Sequence, residues 1–333
     1  MNADNHAGTY KTPGQYVFKG VVCGGYINKG LLENPDNVDI RDGDVFVITY
    51  PKSGTTWTQE IVSLVLNGCD VEAIKRKSLI LRAPFLEWRL PMNFIVYCLG
   101  WILCQTIGRF ISFLPKSLSR LIPIAHPEYL PTLSGFEHMK VCPHPRHAKS
   151  HLPVQLTPLK VFEKGKIIYV ARNPKDTAVS FYHFYRSTLS HGLYKGSWED
   201  FLKMFMDGQV SFGDWFDHVI DWWKYKDHPN VLYLKYEDMQ QDPHDAVRRI
   251  AKHLDKTIPD DLVDVIVRET SFDKLKGKEF YEFKKVVVDS DISPFFRKGI
   301  VGDWENYFTV AQNAKFEELY EERMRQTDLT FDW

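Results

Sequence analysis

The chain has 333 residues, of which 44% are hydrophobic, 26% charged and 14% aromatic, a composition typical of a globular enzyme. This composition excludes a disordered or collagen-like protein. The 42 basic and 43 acidic residues give a net charge of -1, so no overall attraction to nucleic acid is expected. Any anion site must therefore be local.

Cysteine usage and the N-terminal stretch predict a reducing compartment. The five cysteines are an odd number without CxxC spacing, which argues against a disulfide framework. The stretch MNADNHAGTYKTPGQYVFKG lacks the basic start and apolar core of a secretory signal. We therefore expect a cytoplasmic protein. The cysteines are Cys23, Cys69, Cys98, Cys104 and Cys142.

Three short, almost continuously apolar runs predict strands that are buried on both faces of a parallel sheet. A polar turn and a helical pattern follow each run. These repeats predict an α/β fold, with residues 1–333 in a single three-layer α/β/α domain and ligands at the carboxyl ends of the strands. The predicted strands are 45–49, 167–171 and 231–234, and the helices that follow them are 56–66, 176–187 and 244–254. A fourth predicted helix, 311–325, has Phe316, Leu319 and Tyr320 on its apolar face.

The sequence YPKSGTTW, residues 50–57, lies between the first predicted strand and its helix. Gly54 allows the backbone to curl, so that the following amides and the helix N-terminus can point at an anion. Lys52 precedes the glycine, whereas the Walker A lysine follows one. This order disfavours a P-loop kinase, which would also need an acidic Mg²⁺ ligand after a second strand. We predict a P-loop-like phosphate cradle.

YPKSGTTW resembles the 5′-phosphosulfate loop of the cytosolic sulfotransferases, which use 3′-phosphoadenosine 5′-phosphosulfate (PAPS) as the donor. Later blocks agree in order, namely KSHLP at 149–153, ARNPKDTAVSFYHFYR at 171–186, LYLKYEDM, TSFDKLK, and RKGIVGDW at 297–304. The resemblance therefore covers nearly the whole chain. It implies sulfuryl transfer to a hydroxyl or amine of a small lipophilic acceptor, such as a phenol, a steroid or another alcohol. The implied product is 3′-phosphoadenosine 5′-phosphate (PAP), and no metal is implied.

The resemblance also implies a nucleotide site. Arg172 follows a predicted strand, where its guanidinium can grip a phosphate bidentately, and Ser180 lies on the next helix. These two residues and the turn at 297–299 are implied to bind the ribose 3′-phosphate, while aromatic residues hold the adenine. The full implied set is Lys52, Ser53, Gly54, Thr55, Thr56, Trp57, Arg172, Ser180, Tyr236, Thr270, Phe272, Arg297, Lys298 and Gly299.

His151 is the predicted catalytic base, because imidazole titrates near neutrality and the acceptor hydroxyl must lose its proton. Its motif, KSHLP, differs from the family's KTHLP only by serine for threonine. Lys52 and Lys149 are predicted to stabilise charge on the sulfuryl and leaving phosphate oxygens, and Ser180 completes the catalytic set. The predicted acceptor-binding residues are Phe85, Trp88, Lys149, His151 and Phe184.

A long insertion, at about 89–133, departs from the family pattern and adjoins Phe85 and Trp88. It contains the apolar segment 93–113, whose uninterrupted run 94–104 is too short for a bilayer, which needs about 20 apolar residues. A single crossing would also separate the phosphosulfate loop from KSHLP. We predict a helical lid over the acceptor pocket that also contacts a membrane surface, with a buried core helix as the alternative.

A second departure concerns dimerisation. The family often carries a C-terminal dimer motif that reads K, three residues, TV, three residues, E. Thr309 and Val310 match this motif, but Glu305 and Ala314 stand where it has the lysine and the glutamate. The paired charges are lost, so a homodimer through this segment is in doubt.

Two alternatives remain open. Cys142, His144, His147 and His151 crowd together in sequence as zinc sites do, but prolines stiffen this loop and no second cluster completes a tetrahedral site. We therefore predict that His144 and His147 are surface residues. The alternative function is a catalytically inactive lipophile- or nucleotide-binding protein on the same fold.

Overall fold

The computed structural model describes residues 10–89, 134–277 and 288–333. A short antiparallel hairpin of β1 (Tyr16–Phe18) and β2 (Val21–Cys23) comes first. A parallel four-stranded sheet follows, with the order β4-β3-β5-β6. Its strands are β3 (Val45–Thr49), β4 (His147–Ser150), β5 (Lys166–Ala171) and β6 (Val231–Lys235).

The sheet is buried on both faces, which explains the continuously apolar sequence of its strands. Every residue of β3 is buried. Phe46 and Ile48 belong to one hydrophobic core, whereas Val45 and Val47 belong to a second core on the opposite face. The predicted three-layer α/β/α architecture is therefore confirmed.

Helices pack on both faces of the sheet. One core includes side chains from α7, α8, α9 and α14, and the other includes side chains from α2, α11 and α12. The helices are α1 (Lys29–Glu33), α2 (Thr55–Leu66), α3 (Val71–Lys75), α4 (Leu79–Arg82), α5 (Gly135–Val141), α6 (Leu159–Lys164), α7 (Pro174–Ser187), α8 (Trp198–Met206), α9 (Trp215–Trp223), α10 (Tyr236–Gln241), α11 (Pro243–His253), α12 (Asp260–Glu269), α13 (Phe272–Gly277) and α14 (Val310–Met324).

The three predicted strands and their helices are present, with ends that agree to within two residues. The prediction missed β4 and the β1-β2 hairpin. The prediction that His147 is a surface residue is wrong, because this side chain is buried within β4 and lies 2.9 Å from the Ser63 hydroxyl. Burial lowers its pKa to about 3. His144 is exposed, as predicted.

The insertion leaves and rejoins the described fold beside Trp88. Arg89 and Ser134 form an antiparallel bridge, and the Gly135 amide donates to the Trp88 carbonyl at 2.9 Å. The predictions of a lid and a membrane contact at 93–113 lie outside the described residues. No helix among the described residues combines the length and apolar character needed to cross a bilayer.

The segment that matches the dimer motif lies at the surface. Thr309 caps α14 by accepting from the Gln312 amide at 3.2 Å, and Val310 is 90% exposed. Phe316, from the predicted apolar face of this helix, is fully buried, while Leu319 and Tyr320 pack against the same core. The helix therefore turns its apolar face inward and leaves the altered motif exposed.

Candidate active site

The carboxyl ends of β3, β4 and β5 meet at one cavity of about 870 Å³. All but one of the predicted site residues line this cavity. The exception is Ser53, which is fully buried. The predicted residues that line it are Lys52, Gly54, Thr55, Thr56, Trp57, Phe85, Trp88, Lys149, His151, Arg172, Ser180, Phe184, Tyr236, Thr270, Phe272, Arg297, Lys298 and Gly299.

The loop between β3 and α2 curls tightly before the helix begins. Gly54 has a left-handed backbone with φ of 92°, and a Cβ there would lie 2.8 Å from the Tyr236 ring. Glycine is therefore required at this position. Ser53 is buried beside it, and its Oγ has no hydrogen-bond partner within the described part of the chain. The loop and the N-terminus of α2 together offer donors for an anion.

Arg172 ties the end of β5 to two other parts of the site. Its guanidinium donates to the Lys52 carbonyl at 3.3 Å and to the Ile300 carbonyl at 3.0 Å. It also lies over the Tyr236 ring, 4.5 Å from the ring centroid. Its Nε is buried and lacks a partner among residues 10–89, 134–277 and 288–333. One donor of this fixed cation is thus unused.

The loop after residue 296 is fixed from two sides. The carboxylate of Asp303, which is buried, pairs with Arg297 and Lys298. The carboxylate of Asp176, on α7, accepts from the Gly302 amide at 2.8 Å and from another amide of the same loop. A Cβ at Gly299 would lie 2.2 Å from the Phe272 ring, and the φ of Gly299 is 70°. Two cations are therefore held at the cavity wall.

The two lysines of the site are packed against aromatic rings. The Nζ of Lys52 lies 4.4 Å from the ring centroids of Phe184 and Phe295, and the Nζ of Lys149 lies 4.4 Å from that of Phe85. Burial, followed by repulsion from Arg172, lowers the pKa of Lys52 to about 7. Burial also lowers the pKa of Lys149 to about 8. A nearby anion would therefore stabilise the charged form of both ammonium groups.

His151 has a defined tautomer. Its Nδ1 lies 2.8 Å from the Thr49 carbonyl oxygen, which can only accept, so Nδ1 carries the proton and Nε2 keeps a lone pair. The imidazole packs edge-on against Phe85 and Phe212, with centroids 5.1 and 5.3 Å away. Burial, followed by the charge of Lys149, holds the pKa of His151 well below its usual value. The ring is therefore neutral and can accept a proton.

Several residues at this site were not predicted from the sequence. Glu87 is fully buried, and its Oε1 accepts from the His151 amide at 2.6 Å. Burial raises the pKa of this carboxyl to about 7. A lone acidic residue within the apolar stretch APFLEW was the available signal. Tyr26, His191 and Phe212 also line the cavity but carry no recognisable local motif.

The rival zinc cluster is not assembled. Of its members, His147 faces Ser63 at the start of β4. His151, just after the end of β4, bonds to Thr49 on the neighbouring strand β3. The Cys142 thiol is free and lies 4.0 Å from the Leu81 carbonyl. No group of three or more histidine, cysteine or acidic side chains that could hold a metal occurs in the described ranges.

Comparison with known proteins gives one consistent family. Residues 42–328 match the family model of the sulfotransferase domain. Sulfotransferase 1B1 of the dog, Canis lupus familiaris, is 40% identical over 305 residues, which cover 90% of this chain and 89% of that protein. The match therefore extends almost from end to end in both proteins.

Two solved structures show the same fold with a nucleotide product. Retinol dehydratase in a complex with retinol and PAP aligns with a TM-score of 0.77 and 27% identity, covering 98% of this chain and 94% of that one. Mouse sulfotransferase SULT7A1 complexed with PAP aligns with a TM-score of 0.69 and 30% identity, covering 94% and 95%. On the family model, the relatives and the fold together, this chain belongs to the sulfotransferase family.

Proposed function

We propose that this chain transfers the sulfuryl group of PAPS to a hydroxyl of a small lipophilic acceptor. The observation that carries the proposal is the convergence of Lys52, Lys149 and His151 on a cavity that also contains Arg172 and Arg297. This reaction needs a base, two cations for the sulfuryl group and two cations for a separate phosphate.

The residues of the site fit PAPS. Ser53 Oγ, Arg172 Nε and Arg297 Nε are buried without partners in the described part of the chain, and a buried donor is costly until it is satisfied. Arg172 and Arg297 line the cavity, so phosphate oxygens there would accept from both. Trp57 and Tyr236, whose ring centroids are 5.7 Å apart in an edge-to-face arrangement, offer aromatic surface for the adenine.

The proposed reaction assigns one step to each group. The acceptor hydroxyl gives its proton to Nε2 of His151, and its oxygen forms a bond to sulfur. The bond between sulfur and the 5′-phosphate oxygen breaks, and its electron pair leaves with PAP. Lys52 and Lys149 stabilise the charge that moves onto these oxygens. Glu87 holds the His151 amide and so fixes the base relative to the sheet.

An apolar alcohol is the acceptor class that the walls favour. Phe85, Phe184 and Phe212 line the part of the cavity around the lysines and the base, and Trp88 also lines the cavity. The solved complexes of retinol dehydratase contain retinol or androsterone, and both are lipophilic alcohols. These observations support a phenol, steroid or other lipophilic alcohol as the acceptor of this chain.

We further propose that the chain forms a single sulfotransferase domain, works in the cytoplasm and needs no metal. The alternative to the proposed function is a binding protein that has lost the chemistry. Incubation of the purified chain with PAPS and 1-naphthol separates the two, because a sulfotransferase forms naphthyl sulfate and PAP in equal amounts. Binding of PAP and naphthol without either product would support the inactive alternative.

A further inference from the structure

A second polar group lies in the acceptor cavity, away from the nucleotide residues. Tyr26 and His191 both line the cavity, and both are buried, with exposures of 8% and 2%. The Tyr26 Oη lies 3.3 Å from the His191 Nε2. Neither residue has a part in the reaction proposed above. A polar pair in a largely aromatic wall needs an explanation, because an apolar ligand that covers the pair leaves part of its hydrogen-bonding capacity unused.

The hydrogen bonds around His191 fix its tautomer. The Thr188 hydroxyl donates its single proton to the Phe184 carbonyl at 2.6 Å, so its oxygen must accept from Nδ1 of His191 at 2.9 Å. The Ser190 oxygen, 3.1 Å from the same nitrogen, is a second acceptor for this proton. Nδ1 therefore carries the proton and Nε2 has a lone pair. Burial lowers the pKa of His191 to about 3, so the ring stays neutral at physiological pH.

The contact between the two residues is loose. Because Nε2 of His191 can only accept, the Tyr26 hydroxyl is the donor between them. A distance of 3.3 Å is long for this kind of hydrogen bond, which normally spans about 2.7 to 3.0 Å. A ligand hydroxyl that donates to Nε2 and accepts from Tyr26 replaces one long bond with two of normal length.

The pair lies within reach of a small acceptor bound at the reaction centre. The Phe212 ring is 5.3 Å from the His151 ring and 6.4 Å from the Tyr26 ring. The centroid of the Phe184 ring is 5.1 Å from that of the His191 ring and 4.4 Å from the Lys52 ammonium. One aromatic ring thus separates the pair from the base and from the lysine.

We propose that Tyr26 and His191 form a subsite for a second, unreacting hydroxyl of the acceptor. This inference rests on the proposed function, because it treats the same cavity as the acceptor site. A hydroxyl is specified because the ligand group must donate to Nε2 and accept from Tyr26. An ether oxygen cannot donate, and a methyl group can do neither. The preferred acceptor class is therefore a lipophilic phenol or alcohol with a second hydroxyl about one ring away.

Three matched phenols test the subsite by binding, independently of turnover. Calorimetry measures the affinity of 4-(2-hydroxyethyl)phenol, 4-(2-methoxyethyl)phenol and 4-ethylphenol for the complex of the protein with PAP. The hydroxyethyl compound should bind about tenfold more tightly than the other two, the effect of one or two net hydrogen bonds. The double variant Tyr26→Phe/His191→Phe lacks both polar groups and should lose this advantage, with the affinity for 4-ethylphenol as the reference for any general change in the pocket.

Tyr16→Phe is the matched control. The Tyr16 hydroxyl donates to the Ile27 carbonyl at 3.1 Å, and this residue is absent from the cavity wall. The control should keep the hydroxyethyl advantage. Equal affinity for the three phenols, or an advantage that survives in the double variant Tyr26→Phe/His191→Phe, would overturn the subsite. Transfer of label from PAPS to the phenols is measured separately, so that an advantage in binding without any transfer would leave the subsite standing and reject the proposed function.

Discussion

The buried ammonium of Lys52 predicts that nucleotide binding takes up a proton. Its pKa of about 7 in the free protein results from burial between two phenyl rings and from repulsion by Arg172. The 5′-phosphate of PAP is placed beside this lysine by the proposed function, and an adjacent anion raises a lysine pKa. The affinity for PAP should therefore be greatest below pH 7. It should fall as the pH rises through about 7, because the free protein then loses the proton that the complex retains.

The size of the uptake follows from this pKa. At pH 7 a group with a pKa of about 7 is half protonated, so binding should take up about 0.5 proton at Lys52. Lys149, with a pKa of about 8, should add only about 0.1. Well above pH 7, the affinity should fall by up to about tenfold per pH unit until the lysine in the complex also titrates.

Calorimetry in buffers of different ionisation enthalpy measures this uptake directly. The nucleotide's own phosphates also exchange protons, so the informative quantity is the difference between the wild type and Lys52→Met. We expect about 0.5 fewer protons for this variant at pH 7. Lys203→Met, at an exposed lysine paired with Asp207, is the control and should match the wild type. Equal uptake in the wild type and Lys52→Met would refute the assignment of this lysine to the anion.

Three further predictions concern the base, the donor and the buried carboxylate. His151→Ala should lower kcat by about 10² or more and leave the affinity for PAP nearly intact, since general-base catalysis typically contributes that much; near wild-type turnover would remove it from the mechanism. Arg172→Ala should weaken PAP binding by roughly 1.5 to 3 kcal/mol but barely change binding of adenosine 5′-phosphate, and calorimetry showing equal losses would contradict the 3′-phosphate assignment. Glu87→Gln should shift the part of the alkaline limb of kcat/KM that Lys149 sets to lower pH, because the Glu87 carboxylate raises the pKa of Lys149. Glu60→Gln, at another buried carboxylate, is the control and should leave the limb in place. An equal shift in both variants would argue for a purely structural effect.

The parts of the fold that the sequence revealed are those with continuous apolar character. β3 and β5 are buried on both faces and therefore read as apolar runs. β4 was missed because its sequence, HAKS, is mostly polar. Two of its polar residues have specific surroundings, since His147 faces the Ser63 hydroxyl and Lys149 faces the cavity. Local patterns do not contain these tertiary contacts, so polar residues in a central sheet escape prediction.

The same distinction applies to the site. The nucleotide residues belong to local motifs, several of them at strand ends, so a sequence pattern can identify them. Glu87 acts on His151 from 64 positions away, and Tyr26 meets His191 across 165 positions. Each of these residues alone resembles an ordinary core residue. Only the folded chain shows that they share one cavity with the base.

The transfer itself is the most direct test of the proposed function. The purified chain is incubated with PAPS labelled with ³⁵S and with 1-naphthol, in the presence of excess chelator, and the label is followed by chromatography. We predict that the label moves from PAPS into naphthyl sulfate and that His151→Ala slows this movement by about 10² or more. Label that stays in PAPS, or that appears only as inorganic sulfate while PAPS and naphthol are both bound, would contradict sulfuryl transfer by this chain.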